Sequence, residues 1–503
     1  MYIILYIAVN THNMSKNPAK YLATLGIHSL KDTLTTYNPW WKTKTFPLDT
    51  PEFKRDAFDQ ALRYTEANHG LALLINGPRR VGKTTMINQI IKHLIEEKKI
   101  RVNHILFFSL DDPLIQQLPS RDQGTLFEAL LAQWAQVAGT ALRTSSNTLY
   151  CFLDEVQRLP RWELYIKRYI DLRYPIRFII SGSASHTIFR KSLESLLGRL
   201  VDIALPPFTF REYVRFHHPE HKEFLTTFTS ETFDIGDTSS LKKFFKSLSA
   251  KSSSESIQQW NLYAEEYATA GGFPQLWEMQ GAAERASFVD HQFVERVTLE
   301  DLRLVKEIRR PEIFHQFLRY AFARTGQEYN LEELAALIHT TRVTLTEALP
   351  LLLQTELIRK VERFTGKPVR LRSTHAKLYA ADPMLMQAIT KVTTSLAGQD
   401  RGRIAETLVH NVIRLFPGIS DVSYFREPRG ESEIDFVVRI GSRMVPIEVC
   451  YQSNIDTKHR KTVQEFVSKH SRDGNFGILV TKDSYNISLP LVEIPLPFFL
   501  LAQ

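Results

Sequence analysis

The stretch that most constrains this 503-residue chain is a glycine-rich loop between an apolar run and an amphipathic helix. Leu71–Ile75 is a short apolar run, and apolar residues recur at helical spacing from Ile87 to Ile95. Between them, Gly77–Thr85 reads GPRRVGKTT and fits the pattern GxxxxGK[ST]. Because glycines let successive backbone N–H groups curl around an anion, the order strand, loop, helix predicts a phosphate-binding loop.

Each residue of this loop is a candidate for contact with ATP. The candidates are Gly77, Pro78, Arg79, Arg80, Val81, Gly82, Lys83, Thr84 and Thr85. We expect Lys83 to reach the β- and γ-phosphates and Thr84 to ligate Mg²⁺, while the positive end of the following helix strengthens the anion site. Arg79 and Arg80 can pair with phosphates or with carboxylates nearby, and the sequence does not decide between these.

Two adjacent carboxylates, Asp154 and Glu155, end the apolar run that begins at Leu149. Buried carboxylates are costly unless a cation neutralises them, so the pair predicts a metal site more strongly than a solvated acidic turn. We expect Asp154 to hold Mg²⁺ and Glu155 to act as a base toward the attacking water.

Ser181 and Ser183 end the next predicted strand after Glu155, and Arg199 precedes the strand that follows it. Ser181 or Ser183 is a candidate contact for the γ-phosphate or the water. Arg199 is a candidate γ-phosphate sensor, in its own chain or in a neighbouring copy, or else a structural arginine. Strands that alternate with helices predict an α/β fold with a parallel sheet, whose ligands lie at the carboxyl ends of the strands.

Composition adds weaker constraints. The net charge of +8 and pI near 9.2 are compatible with a nucleic-acid partner but do not require one. Cys151 and Cys450 lie far apart in apolar runs, which argues against a disulfide framework and fits a cytoplasmic protein. The apolar segment at residues 1–9 is too short to span a bilayer, and translation can instead begin at Met14. We therefore predict no membrane partner.

The middle of the chain predicts a helix pair followed by a basic hairpin. Leu331–Ile338 and Arg342–Leu353 have helical patterns, and residues 357–379 form a predicted wing. A winged helix of this kind either contacts DNA or packs on the ATPase as a lid. The second helix is a poor base reader because it carries Glu347 and Pro350. The wing offers more positive charge, at Arg359, Lys360, Arg363, Lys367, Arg370, Arg372 and Lys377.

Near the C-terminus, residues 433–438 and 445–450 predict a hairpin that turns near Ser442. In that register Asp435 lies nearly opposite Glu448, so both carboxylates can meet one metal ion. Glu448 and Cys450 are two residues apart and therefore share one face of the strand.

A series of motifs resembles a prokaryotic family of ATP-binding proteins. The series runs from about residue 40 to the end and reads GPRRVGKTT, LDEVQRLPRW, IISGSASH, LLGR, LPPFTFREY, GGFPQ and AKLYAADP. In that family an AAA-like ATPase domain precedes a domain of unknown function, and the C-terminus resembles PD-(D/E)XK nucleases. The resemblance implies a P-loop sheet of the additional-strand class, with Asp154 and Glu155 in the usual roles.

The same resemblance matches Glu406, Asp435 and Glu448 to the acidic positions of the nuclease core. Residue 450 departs from it, because a cysteine stands where the pattern has lysine. Lysine stabilises the attacking hydroxide and the developing phosphate charge, which cysteine cannot do. Lys458 or Lys461 can substitute from the next helix. A degenerate nuclease fold that binds DNA or only packs is favoured over an active one.

These patterns predict several segments and three functions. The segments are a lead-in at 1–39, an ATPase domain at 40–215, an insertion or linker at 216–258, a helical region at 259–325, a winged helix at 326–390 and a nuclease-like domain at 400–503. The favoured function is an Mg²⁺-dependent ATPase that acts as a nucleotide-driven switch near DNA. The alternatives are an ATP-gated, metal-dependent DNase and a DNA-binding regulator with little turnover. Oligomerisation is left open.

Overall fold

The computed structural model describes residues 30–67, 70–116, 118, 120–183, 196–228, 235–251, 257–279, 281–302, 310–364, 375–390, 395–427, 432–470 and 476–502. The chain divides into two compact units. The first comprises Met1–Gly77 and Gly82–Leu205, and the second comprises Pro78–Val81 and Pro206–Gln503. The predicted alternative start at Met14 and the basic residues Lys367, Arg370 and Arg372 lie outside the described residues.

The first unit is built on a parallel sheet whose strands, within the described part, follow the order β2-β3-β4-β1-β5. The strands are β1 Ala72–Gly77, β2 Ile105–Ser109, β3 Leu149–Asp154, β4 Ile176–Ser183 and β5 Leu200–Ala204. The helices are α1 Leu30–Tyr37, α2 Trp40–Thr43, α3 Phe58–Glu66, α4 Lys83–Glu96, α5 Pro113–Gln116, α6 Ser120–Ala138 and α7 Trp162–Asp171, with 3₁₀ turns at Val102–His104 and Val156–Arg158.

The strand order confirms the predicted fold class. β4 lies between β1, which leads into the glycine-rich loop, and β3, which ends at Asp154. This is the additional-strand arrangement that the motif series implies. Because both faces of an inner strand in such a sheet are covered, β3 is apolar up to Asp154, and all six of its residues are buried.

The edge strand β2 is covered by the chain that precedes the loop. The Asn38 amide donates to the Phe107 carbonyl at 2.9 Å and accepts from the Phe107 N–H at 2.7 Å. The indole N–H of Trp41 donates to the Ile105 carbonyl at 2.9 Å. These side chains form hydrogen bonds with backbone groups that an open sheet edge would otherwise expose, and both Trp40 and Trp41 are buried.

The second unit contains a mixed sheet of order β12-β13-β11-β10-β9-β8-β6-β7 among the described residues. Its strands are β6 Ile358–Arg363, β7 Ala376–Ala380, β8 Ile419–Arg426, β9 Glu433–Ile440, β10 Arg443–Cys450, β11 Gly477–Thr481, β12 Asn486–Ser488 and β13 Leu491–Pro495. β9 and β10 form the predicted hairpin, with Arg443 paired to Ile440. β6 pairs with β7 and with β8, so the predicted wing is part of the same sheet as the predicted nuclease-like segment.

Helices pack around this sheet. Before it lie α8 Phe210–His217, α9 Lys222–Phe228, α10 Thr238–Lys251, α11 Ile257–Ala270, α12 Pro274–Trp277 and α13 Ala282–Val289, then π-helical turns Asp290–Glu295 and Val297–Asp301, then α14 Pro311–Ala323, α15 Leu331–Leu337 and α16 Arg342–Gln354, with a 3₁₀ turn at Pro219–His221. After β7 come α17 Pro383–Thr390, α18 Arg401–Ile413, α19 Thr457–His470 and α20 Leu496–Leu501. No helix of the described residues is long and apolar enough to cross a membrane.

The segment predicted as an insertion or flexible connection is partly helical. Leu225 of α9 and Leu241 and Phe244 of α10 are buried in the apolar core of the second unit. Leu241 and Phe244 are three residues apart, so they lie on one face of a helix. Serines flank these residues in the sequence, and serine-rich segments are typical of flexible connections.

Candidate functional site

The glycine-rich loop begins at the end of β1 and runs directly into α4. Gly82 has φ of +97°, a conformation that other residues rarely adopt, and it precedes the first residue of α4, Lys83. The Lys83 side chain is buried, and its Nζ donates to the Gly77 carbonyl at 3.0 Å. The ammonium group therefore lies inside the loop, next to the N-terminus of a 14-residue helix.

Three strand ends meet beside this loop at Asp154. In the sheet, Leu153 of β3 pairs with Ile180 of β4, and Ile75 of β1 pairs with Ser181. Ser181 Oγ donates to Asp154 Oδ1, and Thr84 Oγ1 donates to Asp154 Oδ2 at 2.6 Å. The carboxylate that was predicted to hold Mg²⁺ is thus in direct contact with the predicted hydroxyl ligand.

The electrostatics of Asp154 follow from its position. Burial raises the pKa of Asp154, and the neighbouring Glu155 carboxylate raises it further. The hydroxyls of Ser181 and Thr84 and the charge of Lys83 lower the pKa without cancelling the effect of burial. A carboxylate in this state gains from a cation at its oxygens, because the cation stabilises the charged form.

Glu155 follows with an unusual backbone. Its φ of +51° lies in the left-handed region, which is costly for a residue other than glycine. Its amide N–H donates to Asp154 Oδ1 at 3.1 Å, and its carboxylate accepts a hydrogen bond from Gln157 Nε2. Gln157 was not predicted as a site residue; its only signal in the sequence is its place two residues after the acidic pair.

The two loop arginines have partners in the second unit, to which Pro78–Val81 is assigned. Arg79 Nη2 lies 3.3 Å from Glu300 Oε2. Arg80 donates to the side-chain oxygens of Gln275 and Gln292, each at 2.7 Å. The partners predicted for these arginines were phosphates or Asp154 and Glu155, and the structure pairs them with other side chains.

Arg199, the candidate γ-phosphate sensor, lies away from the phosphate-binding loop of its own chain. The Arg199 carbonyl accepts from the Ala72 N–H, at the start of β1, whereas the loop leaves from Gly77 at the other end. Ala72 and Gly77 are five steps apart along β1, which corresponds to about 16 Å. The Arg199 guanidinium is instead paired with Asp171 at 2.6 Å. A role in a neighbouring copy of the chain stays a prediction.

In the second unit, the three predicted acidic residues lie together. Asp435 accepts from the Val449 N–H at 2.9 Å, and Glu448 Oε2 accepts from the Asp435 N–H at 3.2 Å. Glu406, on α18, is linked to this hairpin through Lys377 of β7, whose Nζ lies 3.0 Å from Glu406 Oε1 and 3.7 Å from Asp435 Oδ1.

The lysine substitutes predicted on the next helix, Lys458 and Lys461, are both exposed. Lys461 is 78% exposed and lies 3.8 Å from Glu465, one helical turn away. The residue of α19 that reaches the cluster is His459, whose Nδ1 lies 2.8 Å from Glu448 Oε1. Cys450 and Cys151 are both free and buried, as predicted.

The described basic residues of the predicted wing have contacts within the second unit. Arg359 pairs with Glu356 at 3.3 Å, and Lys360 pairs with Glu362 at 2.6 Å. Arg363 donates to the Arg426 carbonyl at 2.5 Å. Lys377 is 5% exposed, so the prediction that it offers its charge to a phosphate backbone is wrong for this arrangement.

Three family models match successive parts of the chain. Residues 69–214 match the AAA domain, residues 261–396 match a domain of unknown function (DUF8612), and residues 401–499 match another domain of unknown function (DUF4143). The first match contains the loop, Asp154, Glu155 and Ser181.

Among curated proteins, the chain is similar to two from Methanocaldococcus jannaschii. The uncharacterized protein MJ1544 is 22% identical over 77% of this chain and 76% of its own length. The uncharacterized protein MJ1637 is 24% identical over 80% of this chain and 79% of its own. Among solved structures, the Aeropyrum pernix ORC1 protein in complex with DNA is 13% identical over 70% of this chain and 96% of that chain, with a TM-score of 0.28.

The loop, the strand order and the matched family model agree on the first unit. The chain contains a P-loop ATPase domain of the AAA type at residues 69–214, followed by two domains of unknown function.

Proposed function

We propose that the AAA domain binds ATP with Mg²⁺ and hydrolyses it, and that the chain uses this cycle as a nucleotide-driven switch. The observation that carries the proposal is the convergence of the Thr84 and Ser181 hydroxyls on the buried Asp154 carboxylate, beside Lys83. The loop brings Lys83 and Thr84 to this point as neighbours in the sequence. The sheet register brings Asp154 and Ser181 there, at the carboxyl end where ligands of such sheets bind.

The donor set fits Mg²⁺. Thr84 Oγ1 and the Asp154 carboxylate offer hard oxygen ligands, which Mg²⁺ prefers, and they already lie 2.6 Å apart. Mg²⁺ held there would neutralise charge on the phosphate oxygens. Ser181 keeps the Asp154 carboxylate oriented through its hydrogen bond to Oδ1.

The protein side chains supply the remaining steps. Lys83 can exchange its bond to the Gly77 carbonyl for phosphate oxygens, because it needs only to move within its own loop. The Glu155 carboxylate takes the proton of the attacking water, and Gln157 fixes the position of that carboxylate by donating to it.

Substitution of Lys83 tests nucleotide binding. We expect Lys83→Ala to weaken ATP binding by about a hundredfold, because it removes charged hydrogen bonds worth up to about 3 kcal/mol. Fluorescent ATP-analogue titration measures the change. Lys98→Ala is the matched control, since Lys98 lies beyond the end of α4 and pairs with Glu66 at 2.9 Å. Retention of affinity by Lys83→Ala within about threefold of the control would remove the basis of the proposal.

A further inference from the structure

Lys377 lies at the centre of the acidic cluster in the second unit, although it is far from that cluster in the sequence. Residue Lys377 belongs to β7 and pairs with Val361 of β6, and β6 in turn pairs with β8. Its side chain is 6% exposed. The hairpin β6–β7 therefore carries one buried ammonium group into the sheet that also contains Asp435 and Glu448.

Three carboxylates surround the Lys377 ammonium. Nζ lies 2.8 Å from Glu433 Oε1, 3.0 Å from Glu406 Oε1 and 3.7 Å from Asp435 Oδ1. Burial by itself would lower the pKa of Lys377, but Glu406, Asp435 and Glu433 more than offset this and raise it above its usual value. Three carboxylates this close to Nζ favour the protonated, positively charged form of the side chain.

Four of the six carboxylate oxygens of Glu406, Asp435 and Glu448 lie within hydrogen-bond distance of other groups of the protein. Glu406 Oε1 accepts from Lys377 and from the Tyr379 hydroxyl. Asp435 Oδ2 accepts from the Val449 N–H at 2.9 Å. The two oxygens of Glu448 face the Asp435 N–H and the His459 ring, at 3.2 and 2.8 Å.

These contacts do not fit the divalent metal that the nuclease-like resemblance implies. Among the residues that the structure describes, no group of three or more histidine, cysteine, aspartate or glutamate side chains is arranged to hold a metal ion. A lysine that assisted phosphate cleavage would lie beside the metal ligands and face the substrate. Lys377 instead contacts Glu406 and Asp435 directly, two of the three predicted ligands.

We propose that Lys377 is a built-in cation that takes the place of a divalent metal in the acidic cluster of Glu406, Asp435 and Glu448. The cluster then holds α18, β7 and the β9–β10 hairpin together without a metal ion. It also explains how a chain with cysteine at position 450 keeps a positive charge at this point: the charge comes from another strand. Metal binding at the cluster requires that Lys377 be removed.

Titration with Mn²⁺ tests this on the full-length chain without nucleotide, with bound Mn²⁺ measured by electron paramagnetic resonance. The Asp435→Asn variant distinguishes Mn²⁺ bound at the acidic cluster from any Mn²⁺ bound at Thr84 and Asp154, because it removes a carboxylate from the cluster alone. We expect the wild type and Asp435→Asn to bind Mn²⁺ equally. We expect Lys377→Met to gain a site at least tenfold tighter than any in the wild type, and the double variant with Asp435→Asn to lose it.

Lys360→Met is the matched control, because Lys360 lies on the same hairpin and pairs with Glu362 outside the cluster. It should gain no Mn²⁺ site. Mn²⁺ binding in the wild type that Asp435→Asn abolishes would overturn the proposal, as would plasmid cleavage that depends on Asp435. So would a folded Lys377→Met chain that gains no site. If Lys377→Met does not fold, the comparison of the wild type with Asp435→Asn decides the question alone.

Discussion

At the scale of single residues, the backbone of Glu155 distinguishes it from its neighbours. A φ of +51° costs free energy in a residue with a side chain, and the surrounding structure must compensate for it. The Asp154 side chain accepts a hydrogen bond from the Glu155 N–H, and Gln157 donates one to the Glu155 carboxylate. The left-handed backbone of Glu155 thus directs its carboxylate to Gln157, while the Asp154 carboxylate contacts Ser181 and Thr84.

Replacement of Glu155 by glutamine should separate binding from hydrolysis. The amide has the same size but cannot take a proton, so we expect ATP turnover to fall by about a hundredfold or more. Affinity for ATP should stay within about threefold, because Glu155 has no role at the phosphates. Steady-state phosphate release and analogue titration measure the two quantities, with the exposed Glu97→Gln as control. Unchanged turnover would exclude Glu155 as the base.

The sequence predicted single residues well where one motif sets their geometry, and poorly where tertiary contacts do. Thr84 and Asp154 were expected to share a metal, and they are in contact. The distance of Arg199 from the loop could not be predicted, because it depends on the direction of β5, which places Arg199 at the start of β1. Lys377 was assigned to a DNA-binding wing because its neighbours in the sequence are basic, whereas the pairing of β6 with β8 buries it.

At the scale of elements, β1 and β3 of the first sheet could be predicted to within a few residues, because an apolar run marks each of them in the sequence. The role of the motifs GGFPQ and AKLYAADP could not be predicted. In the second unit, the buried Asp382 carboxylate joins them: it accepts from the Gly272 N–H at 2.6 Å and from the Met384 N–H at 2.8 Å. Gly271 has φ of +72°, and a Cβ there would lie 2.6 Å from Asp382 Oδ1.

The burial of the Asp382 carboxyl group predicts how the free energy of unfolding depends on pH. Burial raises the pKa of Asp382 to about 6, although the two backbone N–H groups lower it. The folded state therefore binds this proton more tightly than the unfolded state, where the pKa is about 3.9. The stabilisation is complete below about pH 4 and is lost as pH rises to about 6, a change of about 3 kcal/mol.

Asp382→Asn removes this titration, because the amide does not ionise. Relative to the wild type, the variant should become more stable as pH rises from 4 to 7, whatever its stability at a single pH. Chemical denaturation at several pH values, followed by tryptophan fluorescence, measures the difference. The exposed Asp49→Asn serves as control. Parallel pH profiles for Asp382→Asn and the wild type would show that the carboxyl group does not titrate as described.

At the scale of the whole molecule, charge bears on whether the switch acts on DNA. The chain has a net charge of +8, yet its described wing residues are paired with acidic groups or backbone, or are buried. Arg342, at the start of α16, is exposed and pairs with Glu332 across the surface. A net positive charge favours contacts to phosphates, which bind DNA without reading its sequence.

We therefore expect the chain to bind duplex DNA weakly, without preference for sequence, and with an affinity that falls at least about tenfold between 50 and 200 mM salt. Fluorescence anisotropy with two unrelated duplexes measures both properties. Arg342→Ala should weaken binding to the two duplexes equally and by no more than a few fold, since one phosphate contact carries a small share of such binding.

ATP turnover measured with and without DNA then tests whether DNA binding is coupled to hydrolysis. For a switch that acts on DNA, we expect DNA to raise the turnover of the wild type at 50 mM salt and not at 200 mM salt. Affinity that does not depend on salt, or turnover that DNA leaves unchanged while it is bound, would restrict the switch to another partner.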